Sequence, residues 1–279
     1  MKGTTKSNGQ KDSLDRFYTS SVAVQECLNK LDLSQYDTII EPSAGRGAFS
    51  SQIPHCIAYD IDPQACDIIQ QDFLSLSFSR DLSKKTLVIG NPPYGQQCKL
   101  AIAFFNKAAE FADTIAFILP KSFRKDSIQN RLSLNFQLQQ DFDIQNTLFT
   151  LPSDEQIDVP CIFQIWNYSA APRVKKKPKT TTSLFSFTTP EFADFRIQRV
   201  GGNAGKASFD LSKSPSSNYF VKNTSKFSNE ELIDIINNTV FDSITNTVGP
   251  KSLSKGELIE TLETNLTNKN FYDKFNYKS

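Results

Sequence analysis

Asp37-Thr38-Ile39-Ile40-Glu41-Pro42-Ser43-Ala44-Gly45-Arg46-Gly47 reads as a short apolar strand running straight into a glycine turn, and this junction decides the fold. The apolar run suits a buried strand, and the glycines let the backbone turn sharply and approach a ligand closely. Upstream, residues 20–31 place Val22, Val24, Cys27, Leu28 and Leu31 at helical spacing. Downstream, residues 57–59 form a second strand ending in Asp60-Ile61-Asp62-Pro63, and residues 64–71 can make a helix. A strand over 86–89 runs into Gly90-Asn91-Pro92-Pro93-Tyr94-Gly95, followed by an Ala-rich helix over 100–111 and a buried strand over 114–119. Two late β-type runs, 147–151 and 161–166, are expected to pair as an antiparallel hairpin at the sheet edge. Short strands alternating with longer helices predict an open α/β sheet.

Three chemistry-bearing elements fall at the ends of successive strands, where open α/β sheets bind ligands. In the first, the glycine turn brings the backbone close; in the second, Asp60 offers a pair of acceptors for ribose hydroxyls, so together they suit a nucleoside-containing cofactor. An ordinary strand-to-helix turn has the same look. The spacing matches neither the dinucleotide G-x-G-x-x-G nor the P-loop, which argues against a nicotinamide enzyme or an ATPase. The third element, Asn91-Pro92-Pro93-Tyr94, is sharper. Two prolines after a strand fix the backbone and block a helix start, which presents the Asn91 side chain and the Pro92 carbonyl rigidly. Two fixed acceptors can hold the hydrogens of an aromatic amino group, so that its nitrogen lone pair points at an electrophile. Tyr94 adds a flat face for a base, worth roughly 1–3 kcal/mol of stacking. The alternative is a Pro-Pro turn followed by a core tyrosine.

Asp15-Arg16-Phe17-Tyr18-Thr19, Glu41 to Phe49, Asp60-Ile61-Asp62-Pro63, Asp72-Phe73-Leu74 and Asn91-Pro92-Pro93-Tyr94-Gly95 follow one another in an order that resembles the S-adenosylmethionine-dependent amino-methyltransferases, in the arrangement of the gamma-type DNA adenine-N6 enzymes. The resemblance covers roughly residues 14–168. It implies a Rossmann-like class I methyltransferase fold with a mostly parallel seven-stranded sheet and a smaller C-terminal extension. It further implies that Tyr18 and Thr19 contact the methionine end of S-adenosyl-L-methionine, that Glu41, Ser43, Ala44 and Gly45 line its path, and that Asp60 binds the ribose. Ile61 would pack on the cofactor adenine, Asp72 would accept from its amino group and Phe73 would cover the ring. Asn91, which also borders the cofactor, would hold the target base with Pro92, Pro93 and Tyr94. The implied reaction is direct in-line transfer to the amino nitrogen without a covalent enzyme intermediate. Pro160-Cys161 resembles the nucleophile dipeptide of cytosine-C5 enzymes, but it follows the amino-methylating motif, and Cys161 is expected in the core.

The family's second base-packing aromatic has Phe149 as its candidate here; a core phenylalanine fits the same position. Lys121, Phe123 and Arg124 are candidates for the substrate side, or a solvated loop.

The 279 residues carry 31 Lys+Arg against 30 Asp+Glu, one histidine and five cysteines. A single histidine, His55, excludes a multi-His metal site and a repeated His acid–base scheme. The cysteines are odd in number and lack metal or redox spacing, so free thiols in a reducing, intracellular compartment (cytoplasm or nucleus) are expected. Residues 1–13 are expected to be a flexible tail without a secretory leader, and no apolar run approaches the roughly 20 residues of a membrane span. The remaining division is a catalytic domain over 14–170, a basic linker over 171–183 and a small recognition region over 184–279. The near-neutral total hides a basic block: residues 171–227 hold about eleven Lys/Arg and about three Asp/Glu. Within it, Arg196, Arg199 and the Gly201–Gly205 loop are candidates for nucleic-acid backbone contact, or a plain β-turn; most of its aromatics suit a small core. Ser228 with Glu231 and Ser254 with Glu257 mark two capped helices.

The expected activity is therefore adenine-N6 methylation of nucleic acid, with DNA favoured. RNA, then a protein glutamine, then a non-catalytic nucleic-acid-binding subunit are the alternatives.

Overall fold

The computed structural model describes residues 17–145, 148–247 and 249–267. The proposed tail, together with Asp15 and Arg16, lies outside the described residues. The chain divides into two compact units, Met1–Pro120 with Ser127–Lys175, and Lys121–Asp126 with Lys176–Ser279.

The first unit is built on a seven-stranded sheet. Its strands in chain order are β1 (Thr38–Glu41), β2 (Ile57–Asp60), β3 (Ile69–Gln70), β4 (Thr86–Gly90), β5 (Thr114–Pro120), β6 (Phe136–Asp143) and β7 (Cys161–Tyr168). They lie side by side as β3-β2-β1-β4-β5-β7-β6. The first five are mutually parallel, and β7 runs antiparallel to both of its neighbours. This is the mostly parallel, Rossmann-like sheet of the class I methyltransferase fold. Its centre is apolar because both faces are covered: Leu87, Val88, Ile89 and every residue from Ile115 to Leu119 are fully buried. Two helices serve this sheet. Helix α1 (Ser21–Leu28) starts where Ser20 Oγ accepts from Ala23 N at 3.2 Å, and it buries Ala23, Val24, Cys27 and Leu28. Helix α2 (Lys99–Ala108) buries Ala101, Ile102, Phe104, Phe105 and Ala108. Phe105 packs edge-on against Phe136 and Trp166 with centroids 5.8 and 5.4 Å away.

Three local expectations are corrected. Residues 64–71 form no helix, because their amides are used at long range: Gln64 N donates to Gly45 O and Gln71 N to Asp60 O, both at 2.8 Å, while Ile69 and Gln70 pair with β2. The late runs do not pair with each other. Leu148–Thr150 joins Tyr18–Thr19 and Gln156–Asp158 in a separate three-stranded sheet, and β7 inserts between β5 and β6. Thr147 lies outside the described residues. Strand β6 had no place in the sequence reading, because its alternation is interrupted: Phe136 and Leu138 stand opposite Tyr168 and Trp166, whereas Phe142, beyond a register shift, stands opposite Phe163.

The second unit carries a four-stranded antiparallel sheet in the order Phe185–Thr188, Asn218–Asn223, Phe195–Gln198, Ala207–Ser208. Helices α3 (Asn229–Asn238) and α4 (Lys255–Thr267) follow. Ser228 and Glu231 satisfy one another's backbone amides at 3.1 and 2.7 Å, and Ser254 and Glu257 do the same at 3.3 and 2.8 Å. Phe185, Phe195, Ile197, Val221, Leu232, Ile236, Leu258 and Leu262 form its core, with Phe187 and Tyr219 packed against it. Those aromatics serve packing.

Candidate active site

The glycine turn is shaped by the carboxylate opposite it. Asp60 Oδ2 accepts from Gly45 N at 2.7 Å and Asp60 Oδ1 from Asp62 N at 2.8 Å, which ties the end of β2 to the loop after β1. An ionised carboxylate has about four lone-pair sites, so two remain for hydroxyl donors. Gly45 has φ +55°, and a Cβ there would sit 3.1 Å from the Tyr18 ring. The turn is thus a cradle that a side chain would fill. Ala44 N is held by Tyr59 O at 2.9 Å, and Ser43 Oγ donates to Asn91 O at 3.2 Å, linking the first loop to the third.

Glu41 closes the floor. It is 1% exposed and accepts from Ser50 N at 2.8 Å and Phe49 N at 3.3 Å. Burial pushes its carboxyl up to about 7, the two amides pull it down, and the Asp60 charge adds a small rise.

At the end of β4, Asn91 Nδ2 donates to Phe17 O at 3.3 Å and to Thr19 Oγ1 at 3.1 Å. A carbonyl can only accept, so this contact fixes which end of the amide faces Phe17. Asn91 Oδ1 is then left buried with no hydrogen-bond partner among the described residues. Buried acceptors are rarely left unmade, and this one sits in the proposed amine-holding loop. Past Gly95 (φ +67°), Gln97 and Cys98 are both left-handed, at φ 54° and 60°, before α2 begins. Such strain is found where a neighbouring loop has to be held in one place.

A cavity of about 510 Å³ brings most of these groups together. Of the sequence candidates, Tyr18, Thr19, Glu41, Ser43, Ala44, Gly45, Asp60, Ile61, Asp72, Phe73, Asn91, Pro92 and Pro93 line it. Asp72 Oδ1 accepts from Leu74 N at 2.9 Å, and Phe73 stacks on Phe104 at 5.6 Å. Ile61 is 55% exposed. Tyr94 and Phe149 stand outside the lining, at 7% and 1% exposure; the Tyr94 hydroxyl lies 3.1 Å from Cys161 Sγ. Cys161 is fully buried.

Lys121, Arg196 and Arg199 belong to the second unit. There Arg196 donates to Asp210 O at 2.7 Å and Asn218 Oδ1 at 2.8 Å, and Arg199 lies over the Tyr219 ring at 5.4 Å.

The cavity also uses side chains that sequence reasoning passed over. Arg46 lines it, with its guanidinium 4.2 Å over the Tyr18 ring and 3.2 Å from Asp154. Phe17 and Phe104 line it too. Arg46 and Phe17 both sit inside the quoted motifs, but their partners are far off in sequence. Among the described residues no cluster of His, Cys, Asp and Glu could hold a metal ion, and no helix is long and apolar enough to cross a membrane.

No protein-family model matches the chain. Over 153 residues it is 29% identical to the rRNA adenine N-6-methyltransferase of Limosilactobacillus reuteri, covering 48% of this chain. The aligned part spans 60% of that relative's length. Solved structures that resemble it in outline include a candidate RNA methyltransferase of Pyrococcus horikoshii (17% identity, TM-score 0.45, 58% of this chain and 92% of that one). Another is the 23S rRNA methyltransferase ErmE (12% identity, TM-score 0.38, 58% and 73%). Strand order and a cavity at the strand ends together give the chain the fold of the class I S-adenosylmethionine-dependent methyltransferases.

Proposed function

We propose that this protein transfers a methyl group from S-adenosyl-L-methionine to the exocyclic N6 amino group of adenine in RNA. One observation carries the reading: the unpartnered Asn91 Oδ1 and the rigid Pro92-Pro93 segment border the same cavity as Asp60 and the Gly45 cradle. An acceptor pair suited to an amino group and a nucleoside-sized recess are thereby juxtaposed. The cradle at Gly45, which a Cβ would fill, and the spare acceptor capacity of Asp60 fit the cofactor.

When bound, S-adenosyl-L-methionine supplies an electrophilic sulfonium methyl. The chain's own residues do the rest. Asp60 would accept from the cofactor's ribose hydroxyls and Asp72 from its adenine amino group, with Phe73 and Ile61 as the apolar residues for that ring. Tyr18 and Thr19 stand toward the methionine end. Asn91 Oδ1 and the Pro92 carbonyl accept the two hydrogens of the target amino group, which draws its lone pair out of conjugation and toward the methyl. The sulfur–methyl bond would break as the nitrogen–methyl bond forms, S-adenosylhomocysteine would leave, and the extra proton of the methylated amine would pass to water, so no residue needs to form a covalent adduct.

RNA is preferred to DNA, the substrate favoured by motif order alone, because the curated relative is named for rRNA. The basic stretch from Lys175 to Lys179 offers sequence-independent attraction to either. The test is incubation of the full chain with labelled S-adenosylmethionine and ribosomal RNA, duplex DNA, single-stranded DNA or a release factor, followed by digestion and mass spectrometry. N6-methyladenosine from RNA is expected. N6-methyldeoxyadenosine alone would return the substrate to DNA, and methylglutamine alone would overturn the nucleic-acid reading.

A further inference from the structure

We propose that Phe17 is a gating residue for the target base: its ring holds the face of Tyr94 in the resting protein and must swing aside before an adenine can stack there. This inference rests on the base-methylation reading above and adds a control that the reading does not require. The Phe17 ring lies nearly parallel to Tyr94, with centroids 6.3 Å apart and planes 22° apart, and it meets Phe149 edge-on at 6.5 Å. Both of those rings are the sequence candidates for packing the target base, and a third ring touches each of them. Phe17 lines the cavity, while Tyr94 and Phe149 do not. Of the three rings, Phe17 alone borders both the recess and the two buried aromatics.

Phe17 is also the least buried of the three rings. It is half-buried, whereas Tyr94 and Phe149 are buried. Its backbone is pinned: Phe17 O accepts from Asn91 Nδ2, and the next two residues pair with Thr150 and Phe149. Displacement is thus a side-chain rotation with the strand register kept. The exchange is close to balanced, since one aromatic contact with Tyr94 is replaced by another. The same backbone tether lets the gate report to Asn91, because the amide that holds Phe17 O leaves its Oδ1 for the incoming amino group. An empty site would stay covered against water, and a base would gain entry only by offering a better ring.

The experiment measures adenosine binding by calorimetry in the presence of S-adenosylhomocysteine, using the full-length wild type, Phe17→Ala, Phe17→Leu and the Phe17→Ala/Tyr94→Ala double variant. Removing the ring is expected to tighten adenosine binding by about tenfold or more, the order given by stacking on an uncovered aromatic. Phe17→Leu is expected to show a smaller gain, and the double variant none. S-adenosylhomocysteine binding and the Trp166 emission of each variant check that the unit is folded; should Phe17→Ala fail that check, Phe17→Leu decides the sign. Equal adenosine affinity in wild type and the folded variants would overturn the gate while leaving base methylation intact. A gain that survives in the double variant would also overturn it. Loss of the underlying reading is separately visible, as wild type that yields no N6-methyladenine from any nucleic acid.

Discussion

The polar side chains that sequence marked in the two units are employed differently. In the second unit the arginines marked by sequence have partners within their own unit: Arg196 holds Asp210 O and Asn218, and Arg199 lies over Tyr219, with its Nε buried and without a partner among the described residues. Arg173, at the edge of the first unit, belongs with them, since its guanidinium donates to the carbonyls of Phe136, Gln129 and Ser133 at 2.6, 3.0 and 3.4 Å. At the strand ends of the first unit, in contrast, Asn91 keeps an acceptor without a partner and Asp60 keeps lone pairs to spare. A positive side chain is thus by itself a weak marker of a binding site. An unmet acceptor beside a cavity is a better one.

Four substitutions test this contrast, in falling order of effect. Asn91→Ala should lower methyl transfer by about a hundredfold or more, as loss of a positioned transition-state partner does, while calorimetric cofactor binding persists. Activity that survived would remove Asn91 from its role. Gly45→Ala places a Cβ 3.1 Å from Tyr18 at φ +55°. A left-handed backbone costs an ordinary residue about 1–2 kcal/mol with or without cofactor, so the unit should lose about that much stability, and cofactor affinity should fall as far as the added methyl displaces Tyr18 at the cavity wall. Unchanged affinity would mean that the turn gives way elsewhere.

Arg173→Ala should lower thermal stability, by about 1–3 kcal/mol for carbonyls left without donors, and leave the salt dependence of RNA binding alone. Lys176 and Lys179 are paired with Asp126 and Glu263 at 3.0 and 2.6 Å, so the cleaner opposite is the joint change of Lys175 and Lys177 to Ala, which should flatten that salt slope and leave thermal stability nearly unchanged. If Arg173→Ala also flattened it, the distinction between structural and phosphate-facing cations would fail at this boundary.

The smallest effect concerns pH. Glu41 has its carboxyl raised from 4.5 in an open chain to about 7 in the fold. Its contribution favours the folded state fully below about 4.5 and is lost as pH rises through about 7. Glu41→Gln mimics the protonated form. Denaturant midpoints should therefore show wild type losing ground to Glu41→Gln between pH 5 and 8, and a constant difference would place the titration elsewhere.

Much of the candidate site's cavity lining was legible in the sequence because it is local. The glycine turn, Asp60 and the Asn-Pro-Pro loop are each a few consecutive residues whose covalent character dictates their conformation, and strand ends bring them together. What escaped depends on partners far along the chain. Residues 64–71 have helical composition, yet Gly45 O and Asp60 O take their amides. The run at Leu148–Thr150 looks like a sheet edge until Tyr18–Thr19 supplies its partner. Strand β6 mixes Gln and Asp among its apolar residues, and only the register with β7 reveals its buried face. Phe17 was part of a quoted motif, but nothing in the order of residues says that its ring meets Tyr94 and Phe149.

The chain has one tryptophan, Trp166, and it sits fully buried on β7. Its indole N–H donates to Gln164 Oε1 at 3.1 Å, and Gln164 passes the connection to Asp141 at 2.8 Å. Nature has in effect placed a single optical label in the first unit and none in the second. Tryptophan emission followed through denaturation will register the melting of the methyltransferase-fold unit alone. Set beside circular dichroism, which sees both, it will tell whether the two units unfold as one cooperative body or in succession.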